Sequence, residues 1–224
     1  MQRRLPALLA LIAVAAFVTL AFVNAVTTSP TSDELTHLAA GLSYLRTGDL
    51  RLNREHPPLL KAIAAIPLWM TPLLPDESVA RDAATRLRDA WAIARSDNAS
   101  QWRFADLFFY GVTDEALRRS GGNNDHVPTL APFARSDFIN DTERLFLRGR
   151  AMMILIGALL AVLVFVWARQ LWGAAGGVIA VFLIAFDPNF IAHSALVTTD
   201  TGVTLFMTAT LYFFWRATRT SGSG

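Results

Sequence analysis

The chain has 224 residues, of which 53% are hydrophobic and only 17% charged, with a mean hydropathy of +0.37. An average soluble domain carries about 25% charged residues, so the composition excludes an ordinary soluble domain and indicates a membrane protein. A net charge of +2 gives no basis for a nucleic-acid surface, and the absence of cysteine excludes disulfides, thiolate metal sites and a cysteine nucleophile.

Four apolar segments predict an all-α membrane protein with four transmembrane helices. They cover residues 1–26, 150–168, 171–186 and 201–217. The first is apolar from Leu5 to Val26, which is enough to cross a bilayer and longer than the core of a signal peptide, about 7–15 residues. The second and third are joined by a tight turn at Arg169-Gln170, and Gly173, Gly176 and Gly177 indicate close helix packing. The alternative, buried helices of a soluble core, is disfavoured because the segments lack charge.

The charged residues predict which side each loop occupies. All but two of the 18 acidic residues lie in the long loop 27–149, and the other two, Asp187 and Asp200, flank the short loop 187–200. A cytoplasmic N-terminus places the following arginines inside: Arg3, Arg4, Arg169, Arg216 and Arg219. Arg148 and Arg150 oppose this rule, but they adjoin a long loop, where the rule is weak. We therefore predict a multi-pass protein of the inner (plasma) membrane with both loops extracytoplasmic.

The long loop predicts two juxtamembrane helices followed by a soluble helical insert. Thr31 and Glu34 form a capping-box pattern, and Gly48 ends the first helix. Its apolar spacing predicts a helix with one apolar face that lies on the membrane surface. The segment from Leu59 to Met70 predicts a second interfacial helix. From Asp76 onward the composition is soluble, with predicted helices over 81–95 and 101–119.

Three acidic motifs are candidates for chemistry. Asp33 and Glu34 stand four and three residues before His37, a spacing that suits a cation site or a base with its orienting partner, although acids in a first helical turn also stabilise the helix alone. Glu55-His56 precedes two prolines that stiffen the turn, and the alternative is an exposed polar loop. Asp200 begins an apolar helix, where capping alone would explain it. His193, seven residues before Asp200, lies in an apolar run, which predicts that its side chain is packed. No nucleotide-binding motif occurs.

Taken together, the motifs resemble those of lipid carrier-dependent glycosyltransferases, the protein O-mannosyltransferases and lipid A aminoarabinose transferases that share the GT-C membrane fold. The first half of the resemblance covers residues 30–67, and the second covers residues 145–216. The first half consists of Asp33-Glu34-x-x-His37, Gly41-x-x-Tyr44, Gly48-Asp49, Asn53-x-Glu55-His56-Pro57-Pro58-Leu59-x-Lys61 and Pro67. The second consists of Arg150, Gly173, Pro188, Ala192-His193-Ser194 and Leu196-Val197-Thr198-Thr199-Asp200.

The resemblance implies transfer of a sugar from a polyprenyl-phosphate carrier to a glycan, lipid or protein acceptor on the extracytoplasmic face. It implies that Asp33 is the general base, that Glu34 supports it and that Asp200 is a second acidic catalytic residue. Lys61, Arg150 and His37 are the implied substrate or carrier-phosphate ligands. Glu55 and His56 are the implied ligands of a divalent cation, the one cofactor expected.

The length of the chain and the alternative functions complete the interpretation of the sequence. Members of the family have ten or more spans, so the chain corresponds to the N-terminal part of the GT-C fold. A non-catalytic membrane subunit or scaffold with the same fold is the alternative to an enzyme. A transporter is disfavoured because the spans contain few polar residues at mid-depth. Neither the sugar nor the acceptor is specified by the sequence.

Overall fold

The protein is helical throughout the part that the computed structural model describes, residues 4–69, 92–94, 101–110 and 142–220, where no strand occurs. The predicted helical class is therefore confirmed for these residues. The predicted helix over 81–95 lies outside them except for 92–94, as does the end of the helix predicted over 101–119. The helices are α1 (Leu5–Thr27), α2 (Ser32–Thr47), α3 (Pro58–Ala65) with a 3₁₀ turn (Ile66–Leu68), α4 (Gln101–Tyr110), α5 (Thr142–Ala185), α6 (Pro188–Ser194) and α7 (Asp200–Thr220).

The chain divides into two compact units, which are described separately. The bundle unit contains Met1–Ser29 and Arg150–Gly224, and the loop unit contains Pro30–Gly149. Among the described residues, two helices are long and apolar enough to cross a membrane, α1 and α5. α5 contains the second and third predicted spans within one helix, and α7, the fourth predicted span, does not meet this criterion.

The long helix α5 reverses direction inside its length. Trp172 leaves helical geometry and Gly173 has φ +76°, a conformation that glycine adopts without steric cost. A Cβ on Gly177 would lie 3.1 Å from the carbonyl oxygen of Phe165, whereas residues 12 apart in a straight helix are about 18 Å apart. α5 is therefore a helical hairpin with its turn at 172–173. The sequence predicted the turn at Arg169-Gln170, but both of these residues are helical.

Contacts within the bundle unit set the direction of the other helices. Gly157 lies against Phe17 of α1 and Ser194 of α6, and Ser194 Oγ is 3.5 Å from Thr201 Oγ1 of α7. At the opposite end of the first α5 segment, Gln170 Nε2 donates to Tyr212 Oη at 3.0 Å. α7 therefore runs parallel to the first α5 segment and antiparallel to the second.

α1 runs antiparallel to the first segment of α5, because Arg150 contacts its C-terminal end while Phe17 contacts Gly157. The packed face of α1 consists mostly of alanines, which lets the helices approach closely. The buried residues of this face are Ala10, Ala13, Phe17, Ala21 and Ala25. The four long segments of the bundle unit thus alternate in direction, and the ends that carry Arg150 and Asp200 lie together.

The loop unit is built around α2. The sequence predicted one apolar face for this helix, but every residue from Thr36 to Tyr44 is buried, so this part of the prediction was wrong. The reason is that small residues leave room for α3 and α4 to pack closely against the helix. A Cβ on Gly41, for instance, would lie 2.5 Å from the carbonyl carbon of Lys61 in α3. α3 and the turn that follows it keep an exposed apolar side, formed by Leu59, Ile66 and Trp69.

The aromatic residues of α4 complete the core of the loop unit. Phe104, Phe108 and Phe109 are fully or almost fully buried. Phe109 stacks on Phe146 of the first α5 turns with ring centroids 4.6 Å apart, and Thr142 Oγ1 donates to the Phe109 carbonyl. These contacts anchor α4 and leave its first residue, Gln101, buried beside the loop that follows α2.

Candidate functional site

The N-terminal turn of α2 gives its two acidic residues different surroundings. Thr31 N–H donates to Glu34 Oε2 at 2.9 Å, and the Glu34 side chain is fully buried. This is the glutamate half of the predicted capping box, so Glu34 is used to satisfy the helix start. Asp33 is exposed, and its carboxylate makes no hydrogen bond within the described residues. Of the two acids, Asp33 is the one available to a ligand.

One turn further along α2, His37 meets the proline-stiffened turn. The rings of His37 and His56 lie edge to face with centroids 5.0 Å apart. His37 is buried, whereas Glu55 and His56 are exposed. The structure therefore brings His37 and His56 together, and it places both in the same unit as Asp33.

A buried polar network holds the loop between α2 and α3. Lys61 Nζ donates to the backbone carbonyl of Asn53 and, at 2.6 Å, to Asn53 Oδ1. Asn53 Nδ2 donates to Gln101 Oε1 at 2.8 Å, and Tyr44 Oη donates to the Leu52 carbonyl. Asn53 has φ +50°, a conformation that residues other than glycine rarely adopt. The network thus fixes a strained backbone position two residues before Glu55.

Lys61 serves a structural role in this arrangement. Its side chain is 1% exposed, and burial lowers the pKa of its ammonium group from 10.5 to about 8, an effect that the nearby Glu55 carboxylate partly opposes. The ammonium group donates its hydrogen bonds to Asn53 and lies 5.5 Å from the centre of the Tyr44 ring. Contact of Lys61 with a carrier phosphate stays a prediction, and it requires the side chain to leave Asn53.

The lowered pKa predicts a pH-dependent stability. Between pH 8 and 10 the unfolded Lys61 binds more protons than the folded one, so stability rises with pH in this window. Burial raises the pKa of Tyr44 to about 12, which reverses the trend only above pH 10. We expect the melting temperature of Lys61→Met in detergent to lack the rise between pH 8 and 10 that the parent shows. The control Arg54→Met removes an exposed positive charge other than Lys61 and should keep this rise in melting temperature. An equal rise in all three proteins would contradict the assignment of the pH dependence to Lys61.

A divalent cation does not fit the described residues as they stand. Among them, no group of three or more His, Asp or Glu side chains is arranged to hold a metal ion. Glu55 and His56 offer two donors, while Ca²⁺ takes six or more oxygen ligands and Mg²⁺ has six. The cation predicted at Glu55 and His56 stays a prediction, and no chemical step here depends on it.

The side chain of Arg150, a residue of α5, contacts the C-terminal end of α1. Its side chain is buried, and its Nη1 donates to the carbonyls of Ala25 at 2.6 Å and Thr28 at 2.8 Å. Nη2 donates to the carbonyl of Ser29 at 3.2 Å. The last carbonyls of a helix lack intrahelical partners and carry partial negative charge. A guanidinium group therefore stabilises them both by donating hydrogen bonds and by its positive charge. Phosphate binding by Arg150 stays a prediction.

The short loop of the bundle unit carries a histidine–carboxylate pair. His193 Nδ1 lies 3.6 Å from Asp200 Oδ2, and the two side chains are 56% and 63% exposed. The sequence predicted a packed His193, and this was wrong, because the apolar residues around it turn inward instead, Val197 among them. Asp187 caps α6 by accepting from Phe190 N–H at 2.6 Å. Both acids are exposed, but Asp187 is used as a helix cap, whereas Asp200 lies beside His193.

Comparison with known proteins identifies a similarity in the second half of the chain. Residues 143–223 match the family of dolichyl-phosphate-mannose-protein mannosyltransferases. The matched region contains α5, α6 and α7 with Arg150, His193 and Asp200, but not α2 with Asp33. No curated protein and no solved structure matches the chain. The match supports the resemblance to membrane glycosyltransferases, without separating mannosyltransferases from aminoarabinose transferases.

Sequence reasoning missed three residues that shape these sites. Gln101 and Asn53 are joined across 48 sequence positions, and no local pattern indicates such a bond. His193 was assigned to the core, although its spacing of seven residues from Asp200 was visible. A short helix ending at Ser194 and a turn before α7 bring the two together.

Proposed function

We propose that the protein is a membrane glycosyltransferase, or the N-terminal part of one, that transfers a sugar from a polyprenyl-phosphate carrier to an acceptor on the extracytoplasmic face. The observation that carries the proposal is the family match over residues 143–223. The independent resemblance over residues 30–67 supports it, because it supplies the acidic first loop that such a reaction needs.

Four membrane spans in a GT-C-type arrangement are part of the proposal. The alternating directions of α1, the two α5 segments and α7 are those of successive membrane crossings. α7 falls short of the apolarity of α1, but it exposes Phe206, Met207, Leu211, Phe213 and Phe214. Such a large apolar surface is costly in water and favourable in lipid. The arginine distribution favours a cytoplasmic N-terminus.

The proposed reaction requires a base for the acceptor and a stabilised leaving phosphate. The acceptor hydroxyl attacks the anomeric carbon, its proton passes to the Asp33 carboxylate, and the bond from that carbon to the carrier phosphate oxygen breaks with its electron pair on the phosphate. The exposed, uncommitted carboxylate of Asp33 suits the base role better than Glu34, which caps α2. Asp200, beside His193 in the bundle unit, stays the second acidic candidate that the resemblance implies.

A transfer assay tests the proposal. Membranes that contain the protein expressed from its own gene are supplied with a labelled polyprenyl-phosphate sugar, mannose first and aminoarabinose next, and with peptide, lipid and glycan fractions as acceptors. We expect label to move to one acceptor class, whereas the corresponding nucleotide sugar should give none. Membranes from a deletion strain are the control. No transfer above that control with any donor would favour the alternative, a non-catalytic membrane subunit.

A further inference from the structure

One end of the bundle unit concentrates positive charge. This basic end is defined by four exposed arginines, namely Arg4, Arg169, Arg216 and Arg219. The bundle unit contains just two acidic residues, Asp187 and Asp200, and both belong to the opposite end, where Asp200 contacts His193. The acidic side chains of this unit therefore lie away from the basic end.

Contacts between α5 and α7 build this end into a defined surface. Gln170 Nε2 donates to Tyr212 Oη, and Arg216 Nη1 lies 3.4 Å from the same oxygen. The Trp167 ring packs against Tyr212 and Trp215, with centroids 6.0 and 6.1 Å away. These contacts bring the hairpin end of α5, with Arg169, beside the C-terminal end of α7.

Aromatic side chains surround the arginines of the basic end. The guanidinium of Arg219 stacks 4.8 Å over Trp215, and that of Arg216 lies 5.8 Å from the Tyr212 ring centre. Trp172, at the tip of the hairpin, is 72% exposed. Tryptophan and tyrosine favour the membrane–water interface, where one side of the ring is apolar and the other polar. In a bundle inserted in a membrane, cations held beside such rings would face the phosphate layer.

We propose that the basic end of the bundle unit is a binding surface for the phosphate groups of anionic phospholipids. Guanidinium groups bind phosphate oxygens in pairs, and basic clusters beside a membrane span attract anionic lipid. The surface anchors the hairpin end of α5 and the end of α7 to one leaflet. This inference does not depend on glycosyl transfer, but it does require that the bundle unit be inserted in a membrane.

Lipid titration of the purified full chain tests the surface. Short-chain phosphatidylglycerol and phosphatidylcholine of equal chain length are added in detergent, and binding is followed by tryptophan emission and by the lipids retained in native mass spectra. Each arginine should contribute about fivefold in affinity for the anionic lipid. We expect the triple variant Arg169→Gln/Arg216→Gln/Arg219→Gln to lose the preference for phosphatidylglycerol, about 100-fold if the contributions add.

The matched control removes the same charge elsewhere. Arg46→Gln/Arg51→Gln/Arg54→Gln changes three exposed arginines of the loop unit and should keep the preference. Should the first triple variant not fold, the single variant Arg219→Gln is expected to lose about fivefold. Retained preference in the variants of the basic end, or equal loss in the control, would overturn the proposal. Competition by inorganic phosphate as strong as that by the lipid would assign the surface to free anions and would overturn it too.

Discussion

Replacing Asp33 with asparagine should lower sugar transfer about 100-fold or more while leaving the protein folded, because general bases contribute about 10²–10⁴ to rate. Asn has nearly the same size as Asp and keeps hydrogen-bonding capacity, but it cannot accept the proton of the acceptor hydroxyl. Asp33 is exposed and makes no side-chain hydrogen bond in the described part of the chain, so the fold loses only its favourable charge at the helix start. That term is worth about 0.3–1 kcal/mol.

Two matched variants separate catalysis from helix stability. Glu34→Gln keeps the capping acceptor for Thr31 N–H and should leave turnover near the parent value. Asp49→Asn removes a partly buried acid that pairs with Arg51 at 2.6 Å, and it should also leave transfer unchanged. Turnover and melting temperature are measured for all three variants. Near-normal turnover in Asp33→Asn would mean that Asp33 stabilises the start of the helix and is not the base. Glu34 or Asp200 would then be the next candidate base. Absence of transfer in the parent would instead reject the proposed function.

The ends of α2 illustrate what a sequence can predict. Thr31 and Glu34 act within one helical turn, and Gly48 takes φ +70° directly after the helix. Both features depend on residues three or four positions apart, so the local pattern determines them. The hairpin in α5 is a similar case, because Gly173 supplies the conformation that the reversal needs. The predicted turn was displaced by three residues because the helix continues to the glycine.

The burial of α2 and the Asn53 network were not predictable in the same way. Amphipathic spacing gives one apolar face, but the other sides of α2 are small rather than charged, so their burial depends on whether other helices approach. Gly41 allows the approach of α3, and Gln101 comes from a distant part of the chain. Contacts of this kind are set by long-range packing. The residues singled out for chemistry, Asp33 and Lys61, therefore needed the structure to separate an exposed acid from a buried lysine.

Replacing Arg150 with glutamine should destabilise the bundle unit strongly. The side chain is buried and donates to three carbonyls beyond or near the end of α1, those of Ala25, Thr28 and Ser29. A buried acceptor left without a partner costs about 1–3 kcal/mol; the Ala25 contact is buried and those to Thr28 and Ser29 are partly so, and glutamine has two N–H donors where the guanidinium has five. A net loss of about 3 kcal/mol corresponds to a fall of about 6–12 °C in melting temperature for a chain of this size.

The structural role of Arg150 can be distinguished from the predicted contact with a carrier phosphate. Arg148 lies two residues earlier and is exposed, so Arg148→Gln removes the same charge and should leave the melting temperature within about 1 °C, as surface substitutions usually do. Arg150→Lys keeps the positive charge but lacks the planar fork that reaches several carbonyls, and we expect an intermediate melting temperature. Thermal unfolding in detergent and transfer activity are measured on the same samples. If Arg150→Gln lowered transfer while the melting temperature stayed at the parent value, the guanidinium would act on the substrate rather than on α1, because a phosphate ligand contributes to turnover without holding the helix end.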